Sequence, residues 1–205
     1  MKEIKSVIFD WGGVLIENPG PGLMSYCADK LKVTKTEFEN SFNKLLYDFQ
    51  TNSISETTFW ELISRDLGTE KPIAPSLWKE AFKSVYKPRN DMFLLAGSLQ
   101  KNGCKTALLS NTEIPATDFF IEQRYNCFDV QIFSCIEGVA KPQREIFDIT
   151  IGKLGCRLEQ SVFIDDNPEF INVAEKIGIN AILFESACQI RKKLTQFGLN
   201  CISCN

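Results

Sequence analysis

No histidine occurs anywhere in the 205 residues of this chain. That absence excludes a Ser-His-Asp or Cys-His nucleophile, H-E-x-x-H zinc chemistry and phosphotransfer through histidine. Any acid–base step must fall to carboxylates, lysines, tyrosines or cysteines. No window reaches the roughly 18 consecutive apolar residues of a membrane span, and no basic segment leads into an apolar one as a secretory signal would. The expectation is a soluble, cytoplasmic protein. Excess positive charge is missing too. With 23 Lys and Arg against 26 Asp and Glu, the net charge is −3, which offers no footprint for nucleic acid or an anionic membrane. The longest basic cluster, Arg191-Lys192-Lys193, reads as one solvated helix face. Internal repeats and low-complexity segments are absent.

Cysteine, by contrast, is plentiful. Eight are scattered along the chain at 27, 104, 127, 135, 156, 188, 201 and 204. In a reducing compartment they read as free thiols, several of them acting as small buried hydrophobes. Cys201 and Cys204 form a lone C-x-x-C with no second pair to complete a zinc site. Hydrophobic content of 44% with 24% charged residues is that of an ordinary globular chain, long enough for one core and a smaller satellite.

Ser6-Val7-Ile8-Phe9 is a short apolar run ending in Asp10, Trp11, Gly12 and Gly13. It reads as a buried strand followed by an acid and a flexible turn. Similar runs cover 106–109, 130–133, 161–164 and 180–184, with helical patterns between them over 91–100 and 144–154. Such alternation predicts a parallel sheet covered on both faces. Between about Asn18 and Arg89 the rhythm breaks and only helical periodicity remains. Thr34-x-x-Glu37 is a capping box opening a helix through Phe38, Phe42, Leu45, Leu46 and Phe49. Ser55 and Gly68 bracket a second helix, Trp78 to Val85 marks a third, and Met24 to Leu31 a fourth. Asn18-Pro-Gly-Pro-Gly22 and Lys87-Pro-Arg-Asn90 read as the loops bounding this insert. A small helical bundle is therefore expected just after the first strand. Phe42, Tyr47, Phe49 and Trp60 are its candidates for facing a site, although their spacing suits the bundle's own core.

Open parallel sheets bind ligands outside the carboxyl ends of their strands. The polar residues at those ends are Asp10, then Ser110-Asn111-Thr112, then Lys141-Pro142 after the third strand, then Asp165-Asp166-Asn167. Singly, each has a plain reading: a turn aspartate, a helix N-cap, an extended loop lysine. Adjacent Asp165 and Asp166 are harder to dismiss, because crowded carboxylates at a buried strand end need a compensating cation. Together the groups suit phosphoryl transfer. Few, hard oxygen ligands are what Mg²⁺ takes. An aspartate nucleophile divides one difficult displacement into two, and a hydroxyl and an ammonium stabilise phosphoryl oxygens.

Val7-Ile-Phe-Asp10-Trp-Gly-Gly-Val-Leu15, Leu108-Leu-Ser110-Asn111-Thr112, Gly138-Val-Ala-Lys141-Pro142 through Ile146-Phe147, and Val162-Phe-Ile-Asp165-Asp166-Asn167 resemble the four motifs of the haloacid dehalogenase-like superfamily. The resemblance covers nearly the whole chain. It implies an α/β, Rossmann-like five-stranded parallel core of order 3-2-1-4-5, built from residues 1–17 and 90–205. A helical cap over 18–89 would close on the substrate. Carried over, Asp10 is the nucleophile and a Mg²⁺ ligand, Gly12 offers its main-chain carbonyl to the metal, and Asp165 and Asp166 complete the protein ligands. Ser110, Asn111 and Lys141 would hold the phosphoryl group of a small phosphate ester. One departure matters. The superfamily's phosphatases usually carry a second aspartate two residues after the nucleophile, as general acid and base. Gly12 stands there, as in some sugar-phosphate phosphatases of the superfamily. Glu17 and Glu113 are the nearest carboxylates in sequence, and neither takes a role from sequence alone. A 2-haloacid dehalogenase and a catalytically silent phosphate- or partner-binding protein are the alternatives to a phosphatase.

Overall fold

The structure is a computed structural model that describes residues 3–200. In chain order, β1 (Ser6–Phe9) leads into five helices: α1 (Gly20–Leu31), α2 (Lys35–Asn43), α3 (Leu46–Gln50), α4 (Glu56–Leu67) and α5 (Leu77–Val85). Then follow α6 (Asn90–Lys101), β2 (Lys105–Ser110), α7 (Ile114–Glu122), β3 (Val130–Phe133) and α8 (Ser134–Glu137). The chain closes with α9 (Arg144–Leu154), β4 (Ser161–Asp165), α10 (Pro168–Lys176), β5 (Asn180–Leu183) and α11 (Ala187–Gln196).

All strand pairings are parallel, in the order β3-β2-β1-β4-β5. β1 lies at the centre, with Phe9 opposite Leu108 on one side and Ile164 on the other. Successive side chains along a strand point to opposite faces, and both faces are apolar here. Val7, Phe9, Leu108, Val162 and Ile164 pack with residues of α6, α7 and α11. Ile8, Ala107, Leu109, Ile132 and Phe163 pack with α9 and α10. Double burial explains why these strands read as continuous apolar runs rather than alternating ones.

The insert is an aromatic-cored helical cap. Thr34 and Glu37 form the capping box, and Ser55 and Gly68 bound α4. Phe42 stacks on Trp78 at 5.3 Å, Phe49 on Phe59 at 4.2 Å, and Phe59 meets Trp78 edge-on at 5.8 Å. Such pairs are worth roughly 0.5–1.5 kcal/mol each beyond the area they bury. Two local expectations change. The single helix expected through Phe49 is broken into α2 and α3 by a tight turn, in which Leu45 N–H bonds to the Phe42 carbonyl. The break lets Phe49 fold back onto Phe59 while Gln50 reaches the core. The Pro-Gly-rich stretch expected as a loop instead opens α1, with Pro19 as N-cap and Pro21 in the first turn. Proline is tolerated there because that N–H has no helical partner anyway.

The chain enters and leaves the cap side by side. Glu17 N–H bonds to the Lys87 carbonyl at 2.9 Å, and Arg89 N–H to the Leu15 carbonyl at 2.8 Å. The cap's α5 also leans on α7 of the core, through Phe82 against Phe119 (5.6 Å) and Lys79 against Glu122 (2.7 Å). Cys27, Cys127 and Cys135 are buried free thiols, and Cys104 is buried as well. The Cys201/Cys204 pair lies outside the described residues. No described helix is long and apolar enough to cross a membrane.

Candidate active site

β1 and β4 run parallel and in register, so their carboxyl ends bring Asp10 beside Asp165 and Asp166. Asp10 continues the pairing one residue beyond β1, its N–H bonded to the Ile164 carbonyl at 2.9 Å. Ligand oxygens of Asp10, Asp165 and Asp166 all lie within 4.8 Å of one another. Lys141 arrives from the loop before α9 and is buried with Asp10 and Asp165, while Asp166 is only partly covered. The Lys141 Nζ donates to Asp10 Oδ1 at 2.7 Å and to Asp165 Oδ2 at 2.6 Å. Asp165 Oδ1 is held in turn by the Asn167 N–H at 2.8 Å.

Asn111 braces the lysine. Its amide Nδ2 donates to the Lys141 carbonyl, and its Oδ1 accepts from the Lys141 N–H, both at 2.8 Å. Asn111 therefore touches the Lys141 main chain rather than capping a helix. The N-cap of α7 is Glu113, which makes no side-chain capping bond. Ser110 is buried at the end of β2 and lines the same cavity as the acids. Gly13 is required by a close approach: its φ is +91°, and a Cβ there would lie 2.0 Å from Asp166 Oδ2. Gly12 is less confined, since a Cβ would meet only Pro19, at 3.3 Å.

Asp10 and Asp165 share the Lys141 ammonium with Asp166 close beside them, and the electrostatics show the crowding of the acids. Burial pushes the Asp10 carboxyl up to about 7, with Lys141 pulling it down and Asp165 adding to the rise. Burial, then the charge of Asp165, also raises Asp166. For Lys141 burial acts to lower the pKa, but Asp10 and Asp165 outweigh it and the ammonium is held. This donor set fits a small, hard divalent cation, which would relieve the mutual repulsion of the acids.

Above the polar floor is a cavity of about 260 Å³. Leu23, Met24, Phe42, Leu46, Trp78 and Phe82 bring apolar cap surface to it. Of the cap residues singled out from sequence, Phe42 lines the cavity, while Phe49 and Trp60 are buried in the bundle. Tyr47 is half exposed, its hydroxyl donating to Gln143 Oε1 at 3.2 Å. The two glutamates separate cleanly. Glu17 is exposed and lies 3.4 Å from Lys87 Nζ. Glu113 is buried on the cavity wall, accepting from Trp78 Nε1 at 2.9 Å and Gln50 Nε2 at 3.2 Å. Trp11, Gln50 and Trp78 were not singled out for this site from sequence. The first adjoins the nucleophile candidate, but the other two carry no local signal of contact with the core.

The profile of the haloacid dehalogenase-like hydrolases matches residues 4–178. The chain belongs to that family. Among haloacid dehalogenase-like (HAD) proteins, it is similar to a HAD family enzyme from Bacteroides thetaiotaomicron. That structure superposes with a TM-score of 0.78 at 21% identity, over 94% of this chain and 99% of that one. The same Bacteroides enzyme in complex with magnesium and inorganic phosphate aligns at 24% identity, over 89% of this chain and 94% of that one, with a TM-score of 0.68. A sesquiterpene phosphatase from Aspergillus oryzae is 22% identical over 180 residues, covering 85% of this chain and 87% of that protein. The mouse acyl-CoA dehydrogenase family member 10 is 22% identical over 208 residues, which is 88% of this chain. This chain spans only 18% of that mouse protein's length.

Proposed function

We propose that this HAD-like hydrolase is a Mg²⁺-dependent phosphatase of a small phosphate monoester, working through an aspartyl phosphate on Asp10. The observation that carries the reading is the cluster of Asp10, Asp165 and Asp166 around one buried lysine at the floor of a cap-covered cavity. Asp10 is the nucleophile, and Lys141 offsets part of the rise that burial imposes on its pKa while balancing charge on the transferring phosphoryl group. Ser110 donates to a phosphoryl oxygen, and Asn111 serves the same group by fixing Lys141. Asp10, Asp165, Asp166 and the main-chain carbonyl of Gly12 would hold Mg²⁺, which when bound supplies Lewis-acid stabilisation of phosphoryl charge.

Cavity size bears on the substrate. About 260 Å³ falls below the roughly 300–1,000 Å³ that accommodates drug-sized ligands. A compact monophosphate with an apolar face suits it better than a nucleotide. The magnesium–phosphate complex of the Bacteroides enzyme and the sesquiterpene phosphatase from Aspergillus oryzae support the same chemistry. A 2-haloacid dehalogenase needs no metal and has little use for paired acids beside the nucleophile. The deciding experiment is hydrolysis of p-nitrophenyl phosphate with and without Mg²⁺, alongside halide release from 2-haloacids. Magnesium-dependent phosphate release is expected. Halide release in excess chelator would replace the reading with a dehalogenase, and no turnover of either class would favour a silent binder.

A further inference from the structure

Proton transfer is the part of the reaction without an owner. The chain has no histidine, and glycine stands at position 12. Five titratable side chains line the cavity: Asp10, Glu113, Lys141, Asp165 and Asp166. Four of them form the ionic cluster on the floor. We propose that Glu113 is the general acid and base of this hydrolase, an inference that rests on the phosphatase reading above.

Position is the first support. In-line displacement puts the leaving oxygen on the side of phosphorus opposite Asp10, which is the side the cap covers. Glu113 belongs to the core, yet its two oxygens accept from Gln50 of α3 and Trp78 of α5, both cap residues on the same cavity. The second support is the company it keeps. Both of those donors are neutral and Glu113 is 5% exposed, so the bonds shown provide no cation to hold its carboxyl ionised. Burial accordingly raises its pKa, which favours a carboxylic acid ready to give a proton away.

The step balances without a further reagent. An Asp10 oxygen bonds to phosphorus as the bond to the ester oxygen breaks, and the Glu113 proton passes to that oxygen, releasing an alcohol. Water then attacks the aspartyl phosphate and gives a proton to the Glu113 carboxylate. The bond between phosphorus and the Asp10 oxygen breaks, freeing phosphate and restoring both side chains.

The test compares kcat/KM for p-nitrophenyl phosphate, whose leaving group departs without a proton, and butyl phosphate, whose leaving group does not. This parameter covers only the steps through alcohol release, so the second half-reaction does not blur it. Glu113→Gln keeps an acceptor for the cap but has no proton to give. It should lose on the order of 10²–10⁴-fold on butyl phosphate, and far less on the aryl ester. Gln50→Ala, which loosens the cap contact but spares the carboxyl, should leave the ratio of the two values near that of the wild type. Equal losses on both substrates in Glu113→Gln would make Glu113 a cap fastener and overturn the proposal. Wild-type kcat/KM across substituted phenyl and alkyl phosphates gives a check that needs no variant to fold. A shallow dependence on leaving-group basicity supports an acid, and a steep one overturns it. A wild type that hydrolyses none of these esters would bring down the phosphatase reading itself.

Discussion

Asp10 is held where folding and chemistry make opposite demands. Its carboxyl near 7 lies well above the ordinary 3.8, so the metal-free folded protein binds a proton that the unfolded chain releases. The Asp10 contribution to stability in chelator should therefore grow as pH falls from about 7 toward 4 and fade as pH is raised through 7. Thermal melts across that range read this directly, and Asp10→Asn should flatten the Asp10 share of the slope. On the proposed mechanism, the same variant should lose on the order of 10⁴-fold or more in turnover, because it removes the proposed covalent nucleophile. Near-wild-type hydrolysis by Asp10→Asn would rule the mechanism out. Gly13 makes an independent demand. Gly13→Ala places a methyl group against the Asp166 carboxylate at a backbone angle that side chains rarely adopt. A loss of about 1–3 kcal/mol is expected, together with weakened Mg²⁺ affinity by calorimetric titration.

At the scale of elements, the cap is a folding unit whose centre is Phe59, fully buried and touching Phe42, Phe49, Trp60 and Trp78. Phe59→Ala should cost about 3–5 kcal/mol by denaturant unfolding, as large-to-small changes in packed aromatic cores do. Phe42 and Trp78 also line the cavity, so loosening the cap core should raise KM as well. A variant with wild-type stability would mean that the bundle repacks around the hole. The paired entry and exit segments of the cap, bonded from Glu17 to Lys87 and from Arg89 to Leu15, lie close in sequence to the loop that carries Asp10 to Gly13. The cap and the segment that follows Asp10 therefore share a backbone anchor.

For the whole molecule, metal binding at the acid cluster, as proposed, would be linked to folding. A ligand that binds only the folded state stabilises it by roughly 2.7 kcal/mol at one hundred times its dissociation constant. Mg²⁺ should therefore raise Tm in a concentration-dependent way. Chelator should remove both that gain and turnover, and Asp166→Ala should blunt both. Ca²⁺ should support little turnover, because its larger and looser coordination misplaces the reacting oxygens. An unchanged Tm over millimolar Mg²⁺ would show that the cluster does not bind the ion.

The sequence by itself determined the parallel sheet, the inserted helical bundle and the four polar strand ends, because each is written in local periodicity and punctuation. An apolar run stopped by an acid needs no distant partner to be read, and neither does a Thr-x-x-Glu capping box. What only the tertiary structure decided are the meetings between distant residues. Lys141 reaches Asp10 across 131 positions, and Asn111 clamps it from 30 away. The turn that splits α2 from α3 exists because Phe49 gains a ring to stack on, a contact that helical spacing does not encode. Glu17 and Glu113 each follow a strand and are indistinguishable in sequence, yet one is exposed beside a lysine and the other is buried between two cap residues. Burial depends on what packs opposite a side chain, and the residues opposite Glu113 lie in an insert 35 and 63 positions away.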